Sequence, residues 1–338
     1  MLQPKRKPAE LMKACVYRRY GGPEVVEVGE VARPVVGESR VLIEVAVTTV
    51  TSADARLRAM RMPSAVFAVL GRLVFGVFRP RQRVLGTEVA GVVAGVGEKV
   101  TRFAVGDRVV ALLGARLGGH AQFVAVDEAS AVVRVPEGLT LEEAVAMPFG
   151  ADASWHYLKR LAGVRPGQRV MVIGASGSLG VAAVQLARHL GAEVTGVCSA
   201  ANVELVQSLG AAHVIDYTRQ DYTAGGETYD VVFDTLGVSS FGRCRAVLMP
   251  RGRFLAAVLT MTEVWQMLWT AIVGGKRVMG GVAPERREDL EALMALASAG
   301  VMKPVIGRRF EMAEVAEAHR YVDSGRKVGS AVMRVGQG

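Results

Sequence analysis

One stretch limits what this chain can fold into more than any other: Val170-Met-Val-Ile-Gly174-Ala-Ser-Gly177-Ser-Leu-Gly180-Val-Ala-Ala-Val-Gln185-Leu-Ala-Arg-His-Leu. A short apolar run of strand length leads into three glycines, each three residues after the last. An amphipathic helix follows without a break. Strand, glycine turn and helix in that order mark a dinucleotide site, where isolated glycines mark only a weak pattern. Gly174 lets the chain turn sharply off the strand, Gly177 leaves room for the backbone to approach a pyrophosphate, and Gly180 lets the helix pack close to the sheet. Ala175, Ser176, Ser178 and Leu179 fill the same turn and join the cofactor-binding set, because the phosphates then face the unpaired N–H groups of the helix N-terminus. The alternative is a tight strand-to-helix turn of any α/β protein.

A chain of 338 residues is too long for one small core and suits two domains. With 51% hydrophobic and 22% charged residues it can bury a large core. The net charge of +9 raises the question of an anionic partner. The basic residues are scattered, however, in short clusters such as Lys5-Arg6-Lys7, Arg79-Pro-Arg81-Gln-Arg83 and Arg286-Arg287. No basic stripe interleaved with aromatics occurs, so no nucleic-acid partner is expected. Cys15, Cys198 and Cys244 lie too far apart to suggest a disulfide framework or zinc spacing, which fits a reducing cytoplasm. Residues 1–12 read as a mobile basic tail and not as a signal peptide. The apolar run Met62 to Phe78 is broken by Arg72 and two glycines. It is suited to touch a membrane surface but falls short of a membrane span.

Up to about residue 135 the pattern is β-rich. Lys13 to Tyr20, Glu24 to Val31 and Val41 to Val47 read as strands. A short helix follows from Thr51, with Ser52 or Asp54 as its cap. Residues 60–80 read as an apolar, flexible segment. Bulged strands are expected from Val84 to Gly97, then strands at Phe103 to Val110 and Gly118 to Val126. Beyond Pro136 the pattern changes. Thr140 to Met147 reads as a helix with a capping threonine, and Ala153 to Ala162 as another. Strands and helices then alternate: strand 169–174, helix 178–190, strand Glu193 to Cys198, helix Asn202 to Leu209, strands His213 to Tyr217 and Tyr229 to Asp234. Helix Ser239 to Leu248, strand Arg253 to Val258, an apolar helix near 262–272 and strand Arg277 to Val282 complete the series. That alternation predicts a doubly wound parallel sheet with helices on both faces. The tail reads as helices Arg286 to Ala299 and Met312 to Ser324 and a last strand Gly329 to Val335, returning to the first domain.

A dinucleotide fold usually places an acid at the end of its second strand to hold the ribose hydroxyls of NAD. Here that tip reads Cys198-Ser199-Ala200-Ala201-Asn202 and carries no acid. A carboxylate repels the extra phosphate of NADP, whereas serine and asparagine donate to it. One charge-assisted bond of about 1.5–3 kcal/mol corresponds to an NADPH preference of about ten- to a hundredfold. Ser199 and Asn202 also suit the role of caps for the next helix. Arg219 is a second candidate phosphate contact.

Taken together, Gly86-Thr-Glu88-Val-Ala-Gly91-Val-Val, Val105-Gly106-Asp107-Arg-Val, the glycine stretch, Leu209-Gly-Ala-Ala-His-Val-Ile-Asp216-Tyr217 and Asp230-Val-Val-Phe-Asp234-Thr-Leu-Gly237 resemble a known family. The chain is similar to the medium-chain dehydrogenases/reductases, in the zinc-independent, quinone-oxidoreductase-like branch, from about Lys13 to Val335. The resemblance implies an α/β architecture: a doubly wound parallel Rossmann sheet over 136–283, plus a β-rich, GroES-like catalytic domain built from both chain ends, 13–135 and 284–338. The active site then lies in the cleft between them, and the expected assembly is a homodimer. Zinc-using members carry cysteine in the stretch that here reads Thr51-Ser52-Ala53-Asp54, and histidine where this chain has Thr87. No metal site is expected. Without a Lewis acid to ionise an alcohol, alcohol oxidation lacks its usual activator. The resemblance therefore implies hydride transfer from NADPH to a quinone, an enone or a related small carbonyl acceptor. An enoyl or alkenal reductase is the second reading, and an NADPH-binding regulatory or structural protein the third.

By similarity, Tyr217 lies near the 2′-phosphate beside Ser199 and Asn202. Thr235, Leu236 and Gly237 pass under the cofactor, with Val258 in the same set, and the Lys327-Val-Gly329 turn supplies a C-terminal contact. Ser154 occupies a place near the nicotinamide. Thr51 and Asp54 match positions lining the cleft, although Thr51 departs from the family pattern and Asp54 suits a helix cap equally. Among five histidines, His156 is the candidate for proton chemistry. His189 and His213 read as surface or structural, His319 as surface or packing, and His120 as packing. The segment 62–80 and the helix Val264 to Val273, with Trp265 and Trp269, read as walls of the acceptor site or as a core or dimer face.

Overall fold

The computed structural model describes residues 10–336. The tail expected at 1–12 lies outside the described residues as far as residue 9. Leu11 and Met12 already belong to a strand, β1 (Leu11–Tyr17), which pairs antiparallel with β2 (Val26–Ala32). The chain continues through β3 (Arg40–Val50), α1 (Ser52–Ala59), α2 (Ala65–Phe75), β4 (Glu88–Val96), β5 (Arg108–Leu112), β6 (Phe123–Asp127) and β7 (Val132–Arg134). After α3 (Leu141–Val145) and α4 (Pro148–Trp155), which runs on into a wider π-type turn at His156–Leu161, comes β8 (Arg169–Ile173). Then follow α5 (Ser178–His189), β9 (Glu193–Cys198), α6 (Val203–Ser208), β10 (His213–Asp216), β11 (Tyr229–Asp234), α7 (Phe241–Cys244), β12 (Leu248–Ala256), α8 (Met261–Val273) and β13 (Arg277–Gly280). The chain closes with α9 (Arg287–Ser298), β14 (Ile306–Glu311), α10 (Val315–Asp323) and β15 (Ser330–Arg334).

Six strands form a wholly parallel sheet in the order β10-β9-β8-β11-β12-β13. The order reverses between β8 and β11, and the crevice beyond the carboxyl ends of those two strands is where open α/β sheets bind their ligands. Val170, Met171 and Val172 of β8 and Val231, Val232 and Phe233 of β11 are fully buried. Central parallel strands are covered on both faces, so they read as unbroken apolar runs. One face packs under α4, α5 and α9. The other packs Phe254, Val232, Tyr222 and Cys244.

The second sheet has the order β14-β15-β3-β4-β5-β7, with β6 also on β3. Its last strand comes from the C-terminus: β15 runs antiparallel to β3, pairing Ala331 with Val50. The expected bulges occur as register shifts between β3 and β4, at Leu42/Ile43 and Val45/Val47. A GroES-like β-rich body built from both chain ends thus faces a Rossmann-type body.

Several elements differ from the sequence reading, among them β7, which was not expected, and α4, which begins at Pro148, five residues before Ala153. Residues 60–80, read as flexible, contain the helix α2, capped by Ser64 accepting from Phe67 N–H at 3.3 Å. Helix Ser239 to Leu248 shrinks to the single turn α7, because β12 begins at Leu248, five residues before the expected start. The strand β14 was not anticipated. Its run Ile-Gly-Arg-Arg-Phe-Glu buries only Phe310, so it lacks the alternation that reveals a strand.

Candidate active site

The glycine turn is built as its spacing implies. Gly174 stands at φ +79°, in the left-handed region. Its N–H and that of Ala175 both donate to Val197 O, each at 3.0 Å. A Cβ on Gly180 would stand 2.1 Å from Gly174 O, so only glycine lets α5 lie this close to β8. A Cβ on Gly177 would meet only Gly174 O at 3.6 Å and the Leu236 side chain at 3.9 Å. The protein therefore leaves the face of Gly177 open where α5 begins, and no side chain caps that helix. These features fit a pyrophosphate, whose oxygens would take the free N–H groups.

The C-terminal segment closes over the same turn. Gly329 N–H donates to Ser176 O at 2.9 Å. Ser178 Oγ and Ser330 Oγ lie 3.1 Å apart, and Ser330 Oγ donates to Ala146 O at 2.6 Å. Lys327 Nζ donates to Gly329 O at 2.7 Å. The two bodies therefore meet at the cofactor turn itself. Ser154, fully buried in α4, donates through Oγ to Leu179 O at 3.0 Å and ties α4 to α5.

At the tip of β9, Asn202 Nδ2 donates to Ser199 Oγ and Ser176 Oγ, both at 3.2 Å. The three polar side chains form one continuous rim. Tyr217, just past β10, is more than half exposed beside it, and its N–H donates to Cys198 O at 3.1 Å. The nearby Asp216 carboxyl is held below the usual carboxylate range by hydrogen bonds from Thr218. Arg219 points to solvent and pairs with Asp216 at 3.6 Å. Across the crevice, Asp234 Oδ1 accepts from Leu236 N–H at 3.1 Å and Gly237 N–H at 2.9 Å, while Oδ2 accepts from Ser239 N–H at 2.7 Å. That carboxylate fixes the loop Thr235-Leu236-Gly237. Thr235 Oγ1 is itself bound to Ile173 O at 2.8 Å, and Val258 packs against Gly237.

Thr51 and Asp54 are buried and bound to each other. The Asp54 carboxylate accepts from Thr51 N–H at 2.9 Å, Thr51 Oγ1 at 2.6 Å and Gly86 N–H at 2.8 Å. With Thr51 accepting from Asp54 N–H, this is a capping box on α1, pinned to the start of β4. His156 is partly buried with Nδ1 unpartnered, and burial, with Arg160 and Arg286 nearby, lowers its pKa. His120 is fully buried, its Nε2 2.9 Å from Thr49 O, and its ring meets that of His319 edge-on.

The sequence reading did not single out Glu88 as a site residue. It is buried, with one oxygen bonded to Thr49 Oγ1 and the other accepting from Phe149 N–H at 2.7 Å, at the start of α4. Burial pushes its carboxyl up to about 8, against the pull of Thr49, Phe149 and Lys327. Burial likewise brings the Lys327 ammonium down to about 8. Its place between two glycines in an apolar run, Gly86-Thr-Glu88-Val-Ala-Gly91, was the available signal. An acid in a buried strand needs bonded partners, and those partners are remote in sequence. Thr87 is buried too, with Oγ1 unpartnered. Among the described residues, no three His, Cys, Asp or Glu side chains cluster as a metal site.

This geometry defines a two-body fold with a dinucleotide-type glycine turn at the joint between the bodies. The family description "Alcohol dehydrogenase GroES-like domain" matches residues 37–137, and "Zinc-binding dehydrogenase" matches residues 209–333. The chain is 30% identical over 338 residues to the 2-methylene-furan-3-one reductase of Solanum lycopersicum, covering 96% of this chain and 79% of the relative. It is 34% identical over 271 residues to the pikromycin polyketide synthase component PikAII of Streptomyces venezuelae, covering 77% of this chain but only 7% of that protein. In fold it superposes on the quinone oxidoreductase from Coxiella burnetii with a TM-score of 0.85 at 23% identity, covering 97% of this chain and all of that one. The chain belongs to the medium-chain dehydrogenase/reductase superfamily, in its quinone-oxidoreductase-like branch, and is an oxidoreductase of that family.

Proposed function

We propose that the chain is an NADPH-dependent, zinc-independent oxidoreductase that reduces a quinone, an enone or a related small carbonyl compound. The observation carrying this reading is the open face of Gly177 at the start of α5, beside a β9 tip that offers Ser199 and Asn202 and no acid. The dinucleotide would lie along Gly174, Ala175, Ser176, Gly177, Ser178, Leu179 and Gly180, with Ser199, Asn202 and Tyr217 on its 2′-phosphate side. Thr235, Leu236, Gly237 and Val258 would line its other flank, and Lys327 and Gly329 would close over it. When bound, NADPH supplies a hydride to an electron-poor carbon.

The chain's own work is to bind, orient and exclude water. Asp54 holds the Thr51 corner to Gly86, two residues before β4, and Ser154 holds α4 to the helix α5. We assign Thr51, Asp54, Ser154 and His156 to the cleft around the acceptor. A quinone or enone that accepts at carbon places charge on oxygen, and water or a weak donor then supplies the proton. Zinc independence rests on the donor set: by the resemblance, zinc-using members carry histidine where this chain has Thr87 and cysteine within the stretch Thr51-Ser52-Ala53-Asp54, which holds none. The domain limits that go with this reading are 13–135 with 284–338, and 136–283.

The tomato relative reduces a furanone bearing a methylene group, which favours an enone or alkenal double bond as the acceptor. A cytoplasmic homodimer completes the reading. Three free, buried cysteines support a reducing compartment, and α8 offers exposed Trp265, Leu268, Trp269 and Ile272 beside the edge strand β13. The test is optical: oxidation of NADPH and NADH with a panel of quinones, enones and aldehydes, with and without a zinc chelator. The expected result is NADPH-selective turnover that ignores the chelator. Chelator-sensitive turnover would overturn zinc independence, and tight NADPH binding without turnover would favour a regulatory protein.

A further inference from the structure

The helix α2 is amphipathic with its apolar stripe turned to solvent. Val66, Val69, Leu70, Leu73 and Val74 recur at helical spacing and are each at least half exposed. Val77 and Phe78, just past the Gly76 terminus, extend the stripe, and Phe78 is 93% exposed. The inner side of the helix is already covered: Gly71 faces Met60 and Met62, and Tyr20 Oη donates to Gly76 O at 2.8 Å. Soluble monomers rarely show a contiguous apolar surface of this kind without a use for it.

Charge identifies what covers it. From Ala55 to Thr87 the chain carries Arg56, Arg58, Arg61, Arg72, Arg79, Arg81 and Arg83, and no Asp or Glu. Arg58 and Arg61 pair with Asp323. Arg72, Arg79, Arg81 and Arg83 are exposed around the stripe, Arg72 and Arg81 donating only to the carbonyls of Val77 and Val74. We propose that the face formed by α2 and residues 77–83 docks on an anionic lipid bilayer, the apolar stripe entering the headgroup boundary and the arginines meeting the phosphates. An eleven-residue helix is about 16 Å long, too short to cross a bilayer and suited to lying along it. Among the described residues, no helix is long and apolar enough to span. A second copy fits this face poorly, because a two-fold contact sets the same patch against itself and brings the acid-free arginine rim of one copy against that of the other. Anionic lipid supplies the missing negative charge.

The test is co-sedimentation of the full chain with vesicles of phosphatidylcholine alone and of phosphatidylcholine with about one-third phosphatidylglycerol, at low and high salt. The expected result is binding to the anionic vesicles only, weakened by salt. Substituting Arg79, Arg81 and Arg83 together by Gln should lower the partition coefficient on the order of a hundredfold, about fivefold per arginine. Phe78→Asp should also release the protein from vesicles. Thermal midpoints and NADPH binding of all variants, expected unchanged, show that they fold. Wild type remaining in the supernatant would overturn the proposal, as would equal binding to both vesicle types. So would a lipid-free change of oligomeric state in Phe78→Asp, which would make a second copy the occupant.

Discussion

The helices α5 and α2 carry equally regular apolar stripes and meet opposite fates. In α5, every residue from Gly180 to Ala187 is buried, and all but Gly180 and Gln185 belong to the core shared with the parallel sheet and α4. In α2 the only buried residue is Gly71, and the aliphatic side chains look outward. Periodicity fixes that a segment coils and which residues share a side. It does not fix what that side faces, because the cover comes from elements far away in sequence. For α5 the cover is the sheet that its own glycine turn launches it onto. For α2 the fold offers cover only to the opposite side.

The contrast can be broken first at its strongest point. Val184→Asp in α5 places an unpaired carboxylate at a fully buried position. It should cost more than about 3 kcal/mol in urea unfolding, or prevent folding outright. A loss under 1 kcal/mol would mean that the α5 face is not the core. Next, Ser199→Asp brings a carboxylate to the rim that α5 faces. The ratio of NADPH to NADH affinity should fall about ten- to a hundredfold, and an unchanged ratio in titration calorimetry would remove the 2′-phosphate from this rim.

Gly177→Ala separates site from scaffold. Gly177 has φ −75°, which alanine adopts freely, and beyond its two chain neighbours no protein atom lies nearer than 3.6 Å to the added Cβ. The thermal midpoint should stay within about 2 °C, while NADPH binding weakens about tenfold or more, near 1.4 kcal/mol. Equal effects on both would refute the assignment of that open face to the cofactor.

Glu88 tests the joint between the bodies by pH. Its carboxyl is raised to about 8 by burial, so between about pH 5 and 8 the folded state holds a proton that the unfolded chain has released. Stability from this group therefore falls as pH rises through that window. The midpoint of wild type should drop relative to Glu88→Gln from pH 5 to 8, and parallel curves would show that Glu88 ionises normally. The smallest effect belongs to α2. Leu73→Ser should change unfolding free energy by less than about 0.5 kcal/mol, since the side chain is already 56% exposed. A large loss would show that the stripe is covered by protein.

Much of the Rossmann half was legible because local chemistry dictates it. The capping box Thr140–Glu143 forms as its spacing implies, with Thr140 accepting from Glu143 N–H at 3.2 Å and Glu143 reaching back to Thr140 N–H at 2.9 Å. The site was legible in part. The glycine turn and the acid-free tip announced themselves, whereas the hydrogen bonds of Asp54 and Glu88 join residues 32 and 61 positions apart. Nothing local encodes such partners. Thr51 and Asp54 read as cleft residues, with Ser52 or Asp54 as the cap; the cap is instead Thr51, bonded locally to Asp54, and only the bond from Gly86 needs the chain to return beside α1.

The sequence by itself determined the alternation of strands and helices, the three-glycine turn and the absence of an acid at the β9 tip. Each is a property of neighbours in the chain, set by backbone sterics, capping and side-chain period. Tertiary structure decided that β15 seals the N-terminal sheet, that Gly329 closes over Ser176, that Glu88 is buried at the domain joint, and that the stripe of α2 is left exposed. These depend on which distant surfaces meet. Burial and partnership are free energies of such meetings, and no window of sequence contains both sides of them.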